Sequence, residues 1–165
     1  MKKMIIVKLL SLIAVAALIV SCGYVPLDVP GTWKISSGEI TANTTGSVKT
    51  TFKSGTLKIE NEKYTWTYET QQLFPGNTTK IEVTETGDCS VNYTAKTLSL
   101  NASSQETKTT DNSGSSTMKI SGTKSSSSNF TYTINSSTMT LKNESTSEYT
   151  GGSKVTVNTE IILTK

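Results

Sequence analysis

The chain predicts an all-β fold, an antiparallel up-and-down β-barrel with a β-sandwich as the alternative, and three observations carry that expectation. Apolar residues beyond position 30 recur at every second place with Thr, Ser, Lys or Glu between them, the period of a strand that buries one face. No segment after residue 30 keeps a helical period for more than a turn or two. Serine and threonine make up about a third of the residues and aromatics only 7%. A disordered tract of that composition would scatter its few apolar residues, whereas here they alternate.

The chain opens with Lys2, Lys3 and Lys8, an apolar run from Leu9 to Val20, and the small residue Ser21 before Cys22. Residues 1–21 have the layout of a secretory signal, and the run is short for a spanning helix. Residues 22–30 form a tether containing Pro26 and Pro30, and residues 31–165 have the length of one domain.

Within the domain the clearest strands are Leu57-Lys58-Ile59, Tyr64-Thr65-Trp66-Thr67-Tyr68, Ile81-Glu82-Val83 and Val91-Asn92-Tyr93. They continue with Leu98-Ser99-Leu100, Met118-Lys119-Ile120, Phe130-Thr131-Tyr132-Thr133-Ile134, Met139-Thr140-Leu141 and Val155-Thr156-Val157. Ile59 to Tyr64, Tyr93 to Leu98 and Ile134 to Met139 share one spacing. Pairing the members of each couple sets Leu57 opposite Trp66, Val91 opposite Leu100 and Tyr132 opposite Leu141. Phe52 and Leu57 lie on opposite parities, so their strand must change face near Ser54-Gly55. The segment from Ser103 to Ser128 is poor in apolar residues and is expected to hold one short strand at Met118 and Ile120 between two loops. The same alternation could face lipid, but no aromatic girdle is visible, which favours apolar residues inside.

Charge and residue types exclude several functions. All 16 basic residues are Lys, and 16 less the three of the leader leaves 13 against 13 Asp plus Glu. A neutral domain without Arg has no field to steer nucleic acid and no fork to grip a phosphate, so no nucleic-acid partner is expected. Histidine is absent and Cys89 is the only cysteine besides Cys22, so no metal site, no cofactor and no nucleophilic triad is expected. Cys89 suits a small apolar filler on a strand. Glu60, Glu62, Glu69, Glu82 and Glu85 could serve acid–base chemistry, yet Glu60, Glu69, Glu82 and Glu85 are expected on the outer face or in turns. No inward carboxylate pair emerges, and no catalytic residue is assigned.

Ile19-Val20-Ser21-Cys22 resembles a bacterial lipobox. The resemblance implies that Cys22 is acylated and that the chain is held in the cell envelope by N-terminal acyl chains. Gly23 after the cysteine resembles an outer-membrane address. Gly31-Thr32-Trp33-Lys34-Ile35 resembles the first-strand opening of lipocalins and bacterial lipocalin-like lipoproteins. The bent second strand, the aromatic strand Tyr64 to Tyr68, a Thr-Gly turn at Thr86-Gly87, Leu98 to Leu100 and Met139 to Leu141 follow in a similar order. The resemblance implies a barrel in which Trp33 plugs the closed end, with a Lys such as Lys154 covering its ring in place of the family's Arg.

Such a barrel is expected to bind a small apolar or amphipathic ligand, with Trp66, Tyr68, Tyr93, Phe130 and Tyr132 as walls. Leu73 and Phe74 are adjacent, so both cannot point into a sheet, and with Pro75-Gly76 behind them they suit a gate at the mouth. The alternative is a surface lipoprotein that acts through its Ser/Thr-rich loops on a protein partner, as an adhesin, assembly factor or inhibitor.

Overall fold

Rows of alternating apolar residues separated by turn chemistry leave antiparallel pairing of neighbours as the simplest way to satisfy the backbone, and the chain adopts it throughout. A computed structural model describes residues 29–43, 48–74, 77–148 and 154–165. The leader, Cys22 and the tether as far as residue 28 lie outside the described residues, as do Pro75 and Gly76. Among the described residues there are eight strands: β1 (Gly31–Ala42), β2 (Val48–Glu60), β3 (Lys63–Phe74), β4 (Asn77–Asn92), β5 (Thr97–Asp111), β6 (Gly114–Asn135), β7 (Thr138–Glu148) and β8 (Lys154–Thr164). Each pairs with its neighbours in sequence, and β1 pairs with β8, which closes an up-and-down barrel and rules out the sandwich.

The connections alternate between two ends. At the lower end, Glu60 pairs with Lys63 across Asn61-Glu62, both at positive φ (51° and 59°) as a primed two-residue turn requires. Ile59↔Tyr64 and Leu57↔Trp66 follow, as the sequence predicts. Across Ser136-Ser137, Ile134↔Met139 and Tyr132↔Leu141 follow in the same way. The third hairpin differs from expectation. Val91 pairs with Leu98 and Cys89 with Leu100, because residues 93–96 form a longer loop. There the Ala95 amide donates to Asn92 Oδ1 at 2.8 Å and Lys96 turns through φ 53°. The slip is two residues, so the same side chains still face inward.

The segment from Ser103 to Ser128 also departs from expectation. It is not a strand between loops: β5 and β6 run on together to Asp111↔Gly114, joined only by Asn112-Ser113. Asp111 Oδ1 accepts from the amides of Ser113 (2.7 Å) and Gly114 (3.1 Å), which closes that turn. Thr86-Gly87 likewise forms no turn but lies within β4. Gly87 is needed because an added Cβ would fall 2.0 Å from the Asn101 carbonyl oxygen.

Bulges change which parity points inward. β1 shifts register between Ile35 and Ser37, β2 between Phe52 and Ser54, and β5 gains Ser103 opposite the Thr86/Gly87 step of β4. Phe52 and Leu57 are therefore both buried, close to where the sequence requires a change of face. Apolar side chains fill the inside. Lys–Glu pairs such as Lys80–Glu69 (3.0 Å), Lys108–Glu82 (3.4 Å) and Lys142–Glu160 (3.2 Å) lie outside, the reverse of a membrane-spanning barrel.

The core sits in the lower half. Trp33, Leu57, Leu98, Met139, Leu141, Ile161 and Leu163 are each 0% exposed. Trp33 Nε1 donates to the Val29 carbonyl at 2.8 Å, which closes this end, and Lys165 Nζ stands 4.5 Å from the ring centroid. Lys165, not Lys154, is thus the cation over Trp33; Lys154 pairs with Glu148 at the opposite end of β8. Gly87→Val should cost about 3 kcal/mol, because a backbone carbonyl cannot rotate out of the way as a side chain can. A urea midpoint lowered at constant slope checks it, and an unchanged midpoint refutes the packing at this crossing.

Candidate functional site

β6 parts from β7 well before either strand ends. Their ladder runs from Asn135↔Thr138 only to Thr131↔Lys142, whereas β6 stays paired with β5 to Gly114 and β7 stays paired with β8 to Glu148. Above Thr131 and Lys142 the two strands leave a seam in the wall. Asn143 Nδ2 bridges its base by donating to the Asn129 carbonyl at 2.5 Å. Thr131 Oγ1 donates to the Lys142 carbonyl at 3.3 Å just below.

The seam opens on a cavity of about 1130 Å³ in the upper half of the barrel. Phe52, Trp66, Tyr68, Phe130, Ile40 and Ile161 form its apolar lining. Residues 127–131 of β6 and 142–145 of β7 line it from both sides of the seam, and Glu39, Asn158, Thr159 and Glu160 line it from β1 and β8. Four of these rings touch in a chain. Phe52 and Tyr68 are 5.5 Å apart, Tyr68 and Trp66 5.1 Å, and Trp66 and Phe130 5.9 Å between centroids, all tilted or edge-on as ring quadrupoles prefer. Trp66 Nε1 is buried with no hydrogen-bond partner among the described residues.

β3 and β4 place Trp66 opposite Glu85. Glu85 is 7% exposed and faces inward, contrary to the outer or turn position expected of it. Its Oε1 accepts from the Tyr64 hydroxyl and its Oε2 from Gln105 Nε2 at 3.1 Å. No Lys pairs with Glu85 among the described residues. The signal for its placement was present in the sequence: Ile81, Val83, Glu85 and Cys89 share one parity, once Thr86-Gly87 is taken as strand. The same neighbours perturb the phenols. Burial raises the Tyr68 pKa to about 12, with the Glu85 charge adding to it. Burial first and the Glu85 hydrogen bond second raise that of Tyr64 further. Cys89 is buried, and that burial raises its thiol, as expected of a filler on a strand.

Of the residues singled out in the sequence, Trp66, Tyr68 and Phe130 come together at the cavity, and Phe52 joins them. Tyr132 is 3% exposed in the lower core, and Tyr93 lies in the β4–β5 turn at the same end, so neither lines the cavity. Tyr132 instead meets Lys96, whose Nζ is 5.7 Å from its ring centroid. Leu73 is 69% exposed near the upper end of β3; the side chain of Phe74 lies outside the described residues. Met118 (57%) and Ile120 (39%) are exposed on β6, above the seam. Among the described residues no group of three or more Cys, Asp or Glu side chains is placed to hold a metal ion.

Comparison with known proteins gives no match: no family model fits the chain, and no curated protein or solved structure matches it significantly.

The phenols provide a check at alkaline pH. Below about pH 10 both folded and unfolded chains keep them protonated; above it the unfolded chain releases protons that the folded chain retains, so stability falls from about pH 10 upward. Tyr64 and Tyr68 should ionise only together with loss of the far-ultraviolet strand signal. Six tyrosinates forming near pH 10 in a chain with intact circular dichroism would contradict the burial.

Proposed function

We propose that the barrel binds a small apolar or amphipathic molecule, which enters through the β6–β7 seam, and that it carries or sequesters the molecule without chemical change. The cavity of about 1130 Å³, walled by Phe52, Trp66, Tyr68 and Phe130, is the observation that carries the reading. The inner wall of the cavity is aromatic and aliphatic while the seam and rim that complete its lining are polar, which suits an amphipathic molecule, and an eight-stranded barrel is just wide enough to hold one. The large side chains of the lower core are by contrast wholly buried.

The lipobox resemblance at Cys22 and the Gly31-Thr32-Trp33 opening support a lipocalin-like lipoprotein tethered in the bacterial cell envelope, most simply at the outer membrane. Binding would then take place close to a bilayer, within reach of lipids and of apolar solutes in transit. A second reading, a protein-binding surface, draws on exposed Leu73 of β3 and Met118 and Ile120 of β6, near the upper end.

Trp66 lies in the lining, so its fluorescence reports occupancy. Titration with octanol and other neutral apolar probes should change the emission saturably. Ser128→Trp, which fills the cavity from β6, should weaken binding by about tenfold or more, equivalent to ~1.4 kcal/mol, without lowering the melting temperature. Absence of any saturable change would overturn the binding reading. Separately, Cys22→Ala should abolish incorporation of labelled acyl chains and release the protein from membranes; retention of both refutes the anchor.

A further inference from the structure

The charge around the cavity is one-sided. Among the described lining residues Glu39, Glu144 and Glu160 supply carboxylates against the single ammonium of Lys142. Lys142 is already bound to Glu160 at 3.2 Å, and Glu39 to Lys49 at 2.6 Å. No ion pair engages Glu144 among the described residues. Behind the aromatic wall lies Glu85, 7% exposed, opposite Trp66, and both its oxygens are engaged by neutral donors, the Tyr64 hydroxyl and the Gln105 amide. Those donors satisfy its lone pairs but leave its charge without a counter-ion, which burial makes costly. The four touching rings of Phe52, Tyr68, Trp66 and Phe130 have negative faces, which attract cations and repel carboxylates.

We infer that the cavity selects a cationic amphiphile, an organic ammonium on an apolar body, over an anionic one such as a fatty acid. This rests on the binding reading above and goes further by naming the ligand's charge. The apolar body packs on Ile40 and the rings, while the ammonium sits against ring faces within the field of Glu85 and of Glu144, the lining carboxylate that no described Lys neutralises. A quaternary ammonium is the favoured head, because it carries charge with little hydration to lose and makes no hydrogen bonds that the rings would leave unmet. A fatty acid would bring a second carboxylate beside Glu85 with no free cation among the described lining residues to receive it.

The test compares octyltrimethylammonium, octanoate and octanol, which share one chain, on the full-length protein below their aggregation concentrations, by Trp66 emission and calorimetry. The ammonium should bind at least about tenfold tighter than octanoate, with octanol between them. Glu85→Gln should reduce the preference for the ammonium over octanol and octanoate several-fold. Phe130→Leu keeps an apolar wall but removes one ring, and should lower ammonium affinity relative to octanol even if Glu85→Gln folds poorly. Equal affinity for the three heads, or a preference for octanoate, overturns the cationic assignment and leaves a binding barrel. Failure of octanol as well as the ammonium overturns both. A preference unchanged in a folded Glu85→Gln removes Glu85 from the site.

Discussion

A sheet that closes on itself must either fill its inside or enclose space, and in this chain the length of one ladder sets the boundary between the two. Where all eight strands are paired, below Thr131↔Lys142, the interior is solid with Leu57, Leu98, Met139, Leu141, Ile161 and Leu163 and is sealed by Trp33. Above that pair β6 and β7 go separate ways, and the aromatic residues that would otherwise meet aliphatic neighbours line a cavity instead. The lower half supplies stability and the upper half supplies the site. The bulges on β1, β2 and β5 bend the strands and turn a new set of side chains inward.

Electrostatics divides along the same wall. The ion pairs Lys49–Glu39, Lys80–Glu69, Lys108–Glu82 and Lys119–Glu106 join side chains that are about a third to two thirds exposed or more. Such pairs each contribute on the order of 0–1 kcal/mol, so they do not hold the barrel together; they mark which face meets water. Glu85 is the exception, a carboxylate on the inner face that holds Tyr64 and Gln105 from neighbouring strands. Removing it would leave one buried and one partly buried donor unmet, whereas keeping it places a negative charge next to Trp66 and Tyr68. Its position beside the cavity wall gives the barrel interior a sign as well as a shape.

Much of the fold was legible in the sequence because alternation states face directly. The hairpins at Asn61-Glu62 and Ser136-Ser137 were fixed by the spacing of the apolar residues around them, since a two-residue turn leaves no slack. The hairpin after Val91 was misplaced by two residues because Tyr93, though aromatic and in phase, belongs to the loop that Asn92 caps. Trp66, Tyr68 and Phe130 could be named from their parity. The opposite parities of Phe52 and Leu57 required a change of face in β2, and the bulge between Phe52 and Ser54 supplies it. The cavity itself was illegible, because it depends on where two strands stop pairing, and that point leaves no pattern in either strand.

The serine-rich stretch of β6 shows why that parting is tolerated. Every residue from Asn112 to Ile120 is exposed, so neither face alternates, and composition alone suggests a loop. An open strand edge ordinarily invites pairing with another chain, and proteins guard against it with charge, short polar side chains and bulges. β6 has all three: serines at 115 and 116, Lys119 paired with Glu106 at 2.9 Å, and a shift of register against β5 between the Ala102↔Ser126 and Ser104↔Ser121 pairs. A strand of the usual β-branched composition there would close the seam on β7 or recruit a foreign strand. The polarity that hides β6 from a reading of the sequence is therefore the same property that lets the seam remain open and the cavity remain accessible.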